Sequence, residues 1–186
     1  MKVIELIVPT MAAALIASSV VVGRAQDAAL DDKAKEAILA AQANDGGTPA
    51  AGRKTFDARC AACHRFGGIG KDVGPDLTTI ASRFKRRDVL EAMLWPSKVI
   101  SDQYLSEIFE LADGKVVSGL IVRENATAVL VRTPDNPDKP VVVQKAQITN
   151  RAQSTVSLMP DGLYDKLSAS ELADLLAFVL APPPDK

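Results

Sequence analysis

The chain has 186 residues, 47% of them hydrophobic, which suits one packed domain or a small domain carrying an insertion and excludes bulk disorder. Its formal net charge is −1, so it lacks the basic face that docking on a nucleic-acid backbone requires. Aromatic residues make up only 4%, which argues against a large aromatic-lined ligand groove.

Residues 1–25 read as an export signal. Lys2 gives a positive start, an apolar stretch runs from Leu6 to Val22, and Gly23-Arg24-Ala25 offers small residues for cleavage after Ala25. The alternative is an uncleaved membrane anchor, because the stretch is nearly long enough to span a bilayer. Pro9 and the small-residue exit favour cleavage. Under either reading the remainder is exported, to the periplasm or its equivalent, and touches a membrane only if the segment is retained.

Residues 26–47 form a leader and linker. Positions 27–44 are rich in Ala, Asp and Lys, which predicts a solvated helix or a mobile leader, and Asn44-Asp45-Gly46-Gly47 is a linker signal. Thr48 offers an N-cap and Pro49 a first helical position, so a helix is predicted from Pro49 into a pair of cysteines, Cys60 and Cys63. Residues 67–76 hold four glycines and Pro75, which predicts a loop. A helix is predicted from Arg87 to Leu94, stopped by Pro96.

The pattern then changes. Between Gln103 and Thr149, β-forming residues come in short runs: Val117, Ile121 and Val122, then Val129 to Val131, then Val141 to Val143. Asp113-Gly114 and Glu124-Asn125-Ala126-Thr127 read as turns, and Thr133 to Pro140 is a third connection. Four or five antiparallel strands are predicted, in a small Sm-like or SH3-like barrel or a curled sheet. Ser168 and Glu171 make a capping box ahead of Leu172, Leu175, Leu176 and Val179, and Pro182-Pro183-Pro184 ends that last helix. The predicted fold is mainly α, in two parts at 48–102 and 151–182, interrupted by an antiparallel β module at 103–150.

The two cysteines and the one histidine of the chain fall together as Cys60-Ala61-Ala62-Cys63-His64. Two thiols three positions apart can each add to one vinyl group of a haem, and the next residue then presents an imidazole to the iron. A C-x-x-C pair also suits a redox disulfide or half a zinc site. A zinc site needs further ligands, and no other Cys or His exists. A thioredoxin-like motif would follow a strand rather than a helix-like stretch, and a structural disulfide leaves the adjacent His unexplained. One covalently attached haem c is the expected cofactor.

Gly52-x-x-x-Phe56-x-x-x-Cys60-x-x-Cys63-His64 resembles the first helix of class I cytochromes c. The wider pattern resembles the haem-binding domain family of the Pirellula/Verrucomicrobium type, through Val73-Gly74-Pro75-Asp76-Leu77-Thr78, Pro96-Ser97, Asp113-Gly114, Ser157-Leu158-Met159-Pro160 and the closing helix. The resemblance implies a cytochrome c-like haem domain and an electron carrier rather than an enzyme. It also implies redox partner proteins, a dehydrogenase or an oxidase.

A second axial ligand must come from a Met, since no second His exists. Met93 lies among Val89, Leu90 and Leu94 at helical spacing and reads as core. Met159 lies in a non-periodic stretch before the last helix, where the resemblance places the distal Met, although it falls 95 residues after His64. The β module accounts for that excess. By the same resemblance the Pro75 carbonyl accepts a hydrogen bond from the His64 imidazole. Phe56, Leu77, Trp95 and Leu176 are expected in the haem pocket or core, with the Trp95 indole N–H reaching a haem propionate. Arg83, Lys85, Arg86 and Arg87 read as a solvated helix start. Two other readings stay open: a haem sensor or weak peroxidase with a labile sixth ligand, and a partner-docking protein in which the β module dominates.

Overall fold

The computed structural model describes residues 30–43 and 46–184, so the segment predicted to direct export and Asn44-Asp45 of the predicted linker lie outside the described residues. Four helices, α1 (Asp32–Gln42), α2 (Pro49–Arg59), α3 (Arg86–Leu94) and α4 (Ala169–Leu180), pack around one core. Phe56, Phe66, Leu90, Leu94, Leu176 and Val179 are buried there with Leu39 and Tyr164. Phe56, Phe66 and Phe178 form a three-ring cluster with centroids 4.9–5.9 Å apart in tilted and edge-on contacts, which aromatic quadrupoles favour.

The crossing of α2 and α4 positions everything else. At Gly52 the two backbones come so close that a Cβ would lie 1.9 Å from the Asp174 carbonyl oxygen and 2.8 Å from the Phe178 Cβ. Pro49 opens α2, and the Thr48 N–H donates to Asp174 Oδ1 at 2.6 Å, tying the start of α2 to α4. The capping box opening α4 is formed as its sequence predicts: Glu171 N–H donates to Ser168 Oγ at 3.2 Å, and Ser168 N–H to Glu171 Oε2 at 2.8 Å.

The predicted leader is helical, but one side of it is not solvated. Leu39 and Lys35 of α1 are both buried. Arg86 at the start of α3 donates to the carbonyls of Gln42 and Ala173, so it braces α1 and α4 instead of facing solvent. Lys85, the N-cap of α3, and Arg83 and Arg87 are exposed, as a solvated helix start requires.

Two sheets interrupt the helices. A short hairpin, β1 (Arg65–Phe66) with β2 (Ile69–Gly70), opens the glycine loop, its second strand falling where the sequence predicts loop alone. Five antiparallel strands follow: β3 (Glu107–Leu111), β4 (Val116–Glu124), β5 (Ala128–Arg132), β6 (Val141–Gln144) and β7 (Ile148–Gln153). Their order is β6-β5-β4-β3-β7. The two edges, β6 and β7, do not pair, so among the described residues there is no closed barrel; of the two predicted forms, the antiparallel sheet is what the strands make. All three predicted turns stand between β3 and β6, and the Asn125 side chain accepts from Thr127 N–H and Ala128 N–H.

Phe109, Val129, Val131 and Val143 form a separate small core on one face of this sheet. Arg151 of β7 lies over the Phe109 ring at 5.3 Å and ion-pairs with Glu107 of β3 and Glu124 of β4. Lys145 reaches Glu124 as well, at 2.6 Å. Three strands are thereby tied together beside one aromatic ring.

Two outcomes follow from these contacts. Gly52→Ala must push α2 away from α4 and should destabilise the protein by about 1–3 kcal/mol in denaturant titrations; an unchanged midpoint contradicts the close crossing. The hydrogen bonds from Arg151 and Lys145 lower the Glu124 carboxyl from its usual 4.5 to about 2. The stability it contributes is therefore complete above the usual value and is lost as pH falls through about 2. Acid unfolding followed by circular dichroism should be less steep over that window in Glu124→Gln than in the parent, and equal slopes contradict the assignment.

Candidate functional site

The Cys-x-x-Cys-His segment forms the turn that ends α2. Cys60 caps the helix with its N–H donating to the Phe56 carbonyl at 2.8 Å, and Ala61 N–H shares that acceptor at 2.9 Å. The chain then tightens: Cys63 N–H and His64 N–H both donate to the Cys60 carbonyl, at 3.0 and 2.8 Å. Cys60, Cys63 and His64 are thus held in one turn, each half-buried, with Cys60 and Ala61 against the main core.

The glycine loop closes over this turn. The Cys63 carbonyl accepts from both Val73 N–H (3.0 Å) and Gly74 N–H (2.8 Å). Pro75 follows, and its carbonyl lies 2.8 Å from His64 Nδ1. A carbonyl can only accept, so Nδ1 carries the proton and Nε2 keeps its lone pair. Gly74 lies flat against the ring: a Cβ there would stand 2.7 Å from His64 Cε1 and 3.1 Å from Nδ1. Burial lowers the His64 pKa and so favours the neutral imidazole, against the opposing effect of the Pro75 hydrogen bond, which raises it.

The five-stranded sheet also touches this loop. Arg132 of β5 donates to the Asp72 carbonyl at 2.6 Å, and Lys71 ion-pairs with Asp138 in the β5–β6 connection. The Asp72 carboxylate pairs with Arg65 of β1.

These features fit a haem attached through two thioethers. A neutral imidazole oriented through Nδ1 presents Nε2 as a metal donor, the usual arrangement for histidine ligands. The redox-disulfide alternative fits poorly. Burial, helped by the neighbouring Cys63, pushes the Cys60 thiol up to about 11, and burial raises Cys63 too. A reactive C-x-x-C pair needs the opposite shift, toward thiolate. Among the described residues no group of three or more His, Cys, Asp or Glu could hold a metal ion, so the zinc alternative lacks its further donors.

The two methionines differ in setting. Met93 lies inside α3 and packs against the main core, as its helical spacing predicts. Met159 is half-buried in the non-helical segment between β7 and α4, and its N–H donates to Ser157 Oγ at 3.1 Å. Phe56 and Leu176 are fully buried core residues, with Leu77 and Trp95 packed on their cluster. One expectation is corrected. The Trp95 indole N–H donates to Asp32 Oδ1 of α1 at 2.7 Å, so its donor is already used and does not serve a propionate. Sequence patterning missed α1 as a partner because its one buried apolar side, around Leu39, is too narrow to register.

A family model described as cytochrome c matches residues 49–97, from the first residue of α2 through the segment after α3. No curated protein matches the chain. The match supports a c-type cytochrome and a haem-based electron-transfer protein. The cytochrome c family binds haem c covalently, and Cys60 and Cys63 lie within the matched segment in the order that attachment requires. Such domains are usually exported, and no helix among the described residues is long and apolar enough to cross a membrane.

The Gly74 contact gives a direct check. In Gly74→Ala the new methyl meets the imidazole, so haem should stay attached on a denaturing gel while the visible spectrum departs from the parent's. A parent-like spectrum contradicts the packing of Gly74 on His64.

Proposed function

We propose that this chain is an exported mono-haem c-type cytochrome of the Pirellula/Verrucomicrobium haem-binding domain type. It carries single electrons from a periplasmic donor, such as a dehydrogenase, toward a downstream acceptor such as an oxidase. The observation that carries this reading is the His64 imidazole, fixed between the Pro75 carbonyl and Gly74 beside two cysteines on one turn. The haem domain is built from 48–102 and 151–182, with the β module at 103–150 as an insertion and residues 1–25 as the signal.

Cys60 and Cys63 would hold the haem through thioethers, and His64, through Nε2, and Met159 would be the side chains that bind its iron. Bound haem supplies a one-electron iron couple, and His/Met ligation places it at a higher potential than two histidines would. The residues around it set its access and electronics. Pro75 holds the proton on Nδ1, which fixes the ring plane and raises the basicity of Nε2. The buried Phe56, Phe66 and Phe178 cluster lies behind the attachment helix and keeps water from that side. Met159 is preferred over Met93 because a loop can aim its sulfur, whereas Met93 is packed against the helical core.

The test is an absorption spectrum of protein exported from a host with cytochrome c maturation, for the parent, Met159→Ala and Met93→Ala. The parent should be low-spin with the ferric Met–iron charge-transfer band. Met159→Ala should lose that band and bind CO, and Met93→Ala should keep it. A high-spin, CO-binding parent would instead favour the sensor or weak-peroxidase reading. Loss of the band in Met93→Ala alone would reverse the ligand assignment.

A further inference from the structure

Lys35 of α1 is a lysine with 4% of its surface exposed, far from the attachment motif in sequence. Long cations are almost never buried unless paired. Its ammonium donates to both carboxylate oxygens of Asp161, at 2.9 and 2.7 Å. It also sits 5.9 Å over the Trp95 ring. Asp161 is two residues beyond Met159, separated from it only by Pro160. Proline fixes its own φ and confines the preceding residue to extended conformations, so Met159-Pro160-Asp161 is a stiff connector. Asp161 Oδ1 further accepts from Gly162 N–H at 2.8 Å, and Tyr164 is buried in the main core just beyond.

The loop is held on its other side as well. Met159 N–H donates to Ser157 Oγ, and Ser157 N–H donates to Ser97 Oγ at 3.0 Å, in the segment that follows α3. Met159 is therefore suspended between two anchors. One is a neutral hydrogen-bonded chain to the α3 exit. The other is a charged pair reaching into α1, a helix that lies outside the matched segment at 49–97.

We propose that Lys35 is a positioning residue for the distal ligand: through its bidentate ion pair with Asp161, α1 holds the Met159 loop in its ligating position and limits opening of the sixth site. This rests on Met159 as the distal ligand. The pair is buried on the lysine side and half-exposed at Asp161, so its effect is geometric: it ties a stiff connector to α1, and a connector that loses its anchor moves with the loop. α1 thereby controls how readily an external ligand reaches the iron, while the Cys60-to-Pro75 side of the site is untouched.

The experiment compares holoprotein of the parent with Lys35→Met, Lys35→Arg, Asp161→Asn, Asp32→Asn and Met159→Ala. It reads the ferric Met–iron band and CO binding to the ferrous form, with haem-stained gels and circular dichroism as checks on attachment and folding. Lys35→Met and Asp161→Asn should weaken the band and raise the CO-accessible fraction on the order of tenfold, with Lys35→Arg restoring the parent's behaviour. Asp32→Asn removes the charge from another contact of α1, its bond to Trp95, and should lower stability but leave the spectrum unchanged. If Lys35→Met and Asp161→Asn keep the parent's band and CO binding while Met159→Ala loses the band, the positioning role is overturned and the ligand assignment stands. If Asp32→Asn changes the spectrum as much as Lys35→Met, general docking of α1 replaces the specific pair. If Met159→Ala keeps the band, the ligand assignment itself fails, and the positioning role with it.

Discussion

The site depends on one carbonyl. The Cys63 C=O accepts from two successive N–H groups, Val73 and Gly74, and so fastens the glycine loop across the turn that carries both cysteines and His64. Each such bond contributes only about 1 kcal/mol net. Their larger effect is geometric. With Gly74 fixed there, its missing side chain leaves a flat face for the imidazole, and the next carbonyl, that of Pro75, lies within 2.8 Å of Nδ1. The ring's tautomer and plane follow from the backbone, before any cofactor is present.

The rest of the fold carries that turn and lets it coexist with a separate five-stranded sheet. α2 delivers the cysteines, and its contact with α4 is close enough to exclude any side chain at position 52. The five-stranded sheet leaves and re-enters the helical part at one place. β3 and β7 pair directly, and at their base Ser154 N–H donates to the Ser106 carbonyl at 2.8 Å, both residues being buried. Because exit and return are neighbours, the sheet adds length without separating the segment after α3 from the loop before α4. The bond between Ser97 and Ser157 shows the two still joined. The offset of 95 positions from His64 to Met159 is therefore a consequence of topology. The sheet is not a detached appendage, since Arg132 and Asp138 touch the loop that closes over His64.

What could be read from the sequence was whatever local chemistry dictates. Pro49 starts α2 through its own fixed φ, without a capping bond from the Thr48 side chain, while the Ser168–Glu171 box, Asp113 and Asn125 set boundaries through local side-chain hydrogen bonds, and each boundary is where it was expected. Cys60, Cys63 and His64 announce their chemistry by adjacency. What was illegible depends on contacts across many residues. The hairpin at Arg65–Gly70 is only two residues a side, too short for alternation to show. The docking of α1 rests on Leu39 and on a buried Lys35, a residue type that patterning assigns to solvent. Trp95 was assigned to a propionate because its preferred partner, Asp32, belongs to a segment that looked detached. Whether the sheet closes depends on β6 meeting β7, which no local signal specifies.

The central claim is that Cys60 and Cys63 hold a haem. The most direct measurement is the intact mass of the protein exported from a host with cytochrome c maturation, followed by peptide mapping of the segment around residues 60–64. The expected mass is that of the exported chain, without residues 1–25 where the signal is cleaved, plus one haem, with the addition confined to the peptide containing both cysteines. Two free thiols or a Cys60–Cys63 disulfide in that peptide, under conditions where a control cytochrome matures, would contradict it.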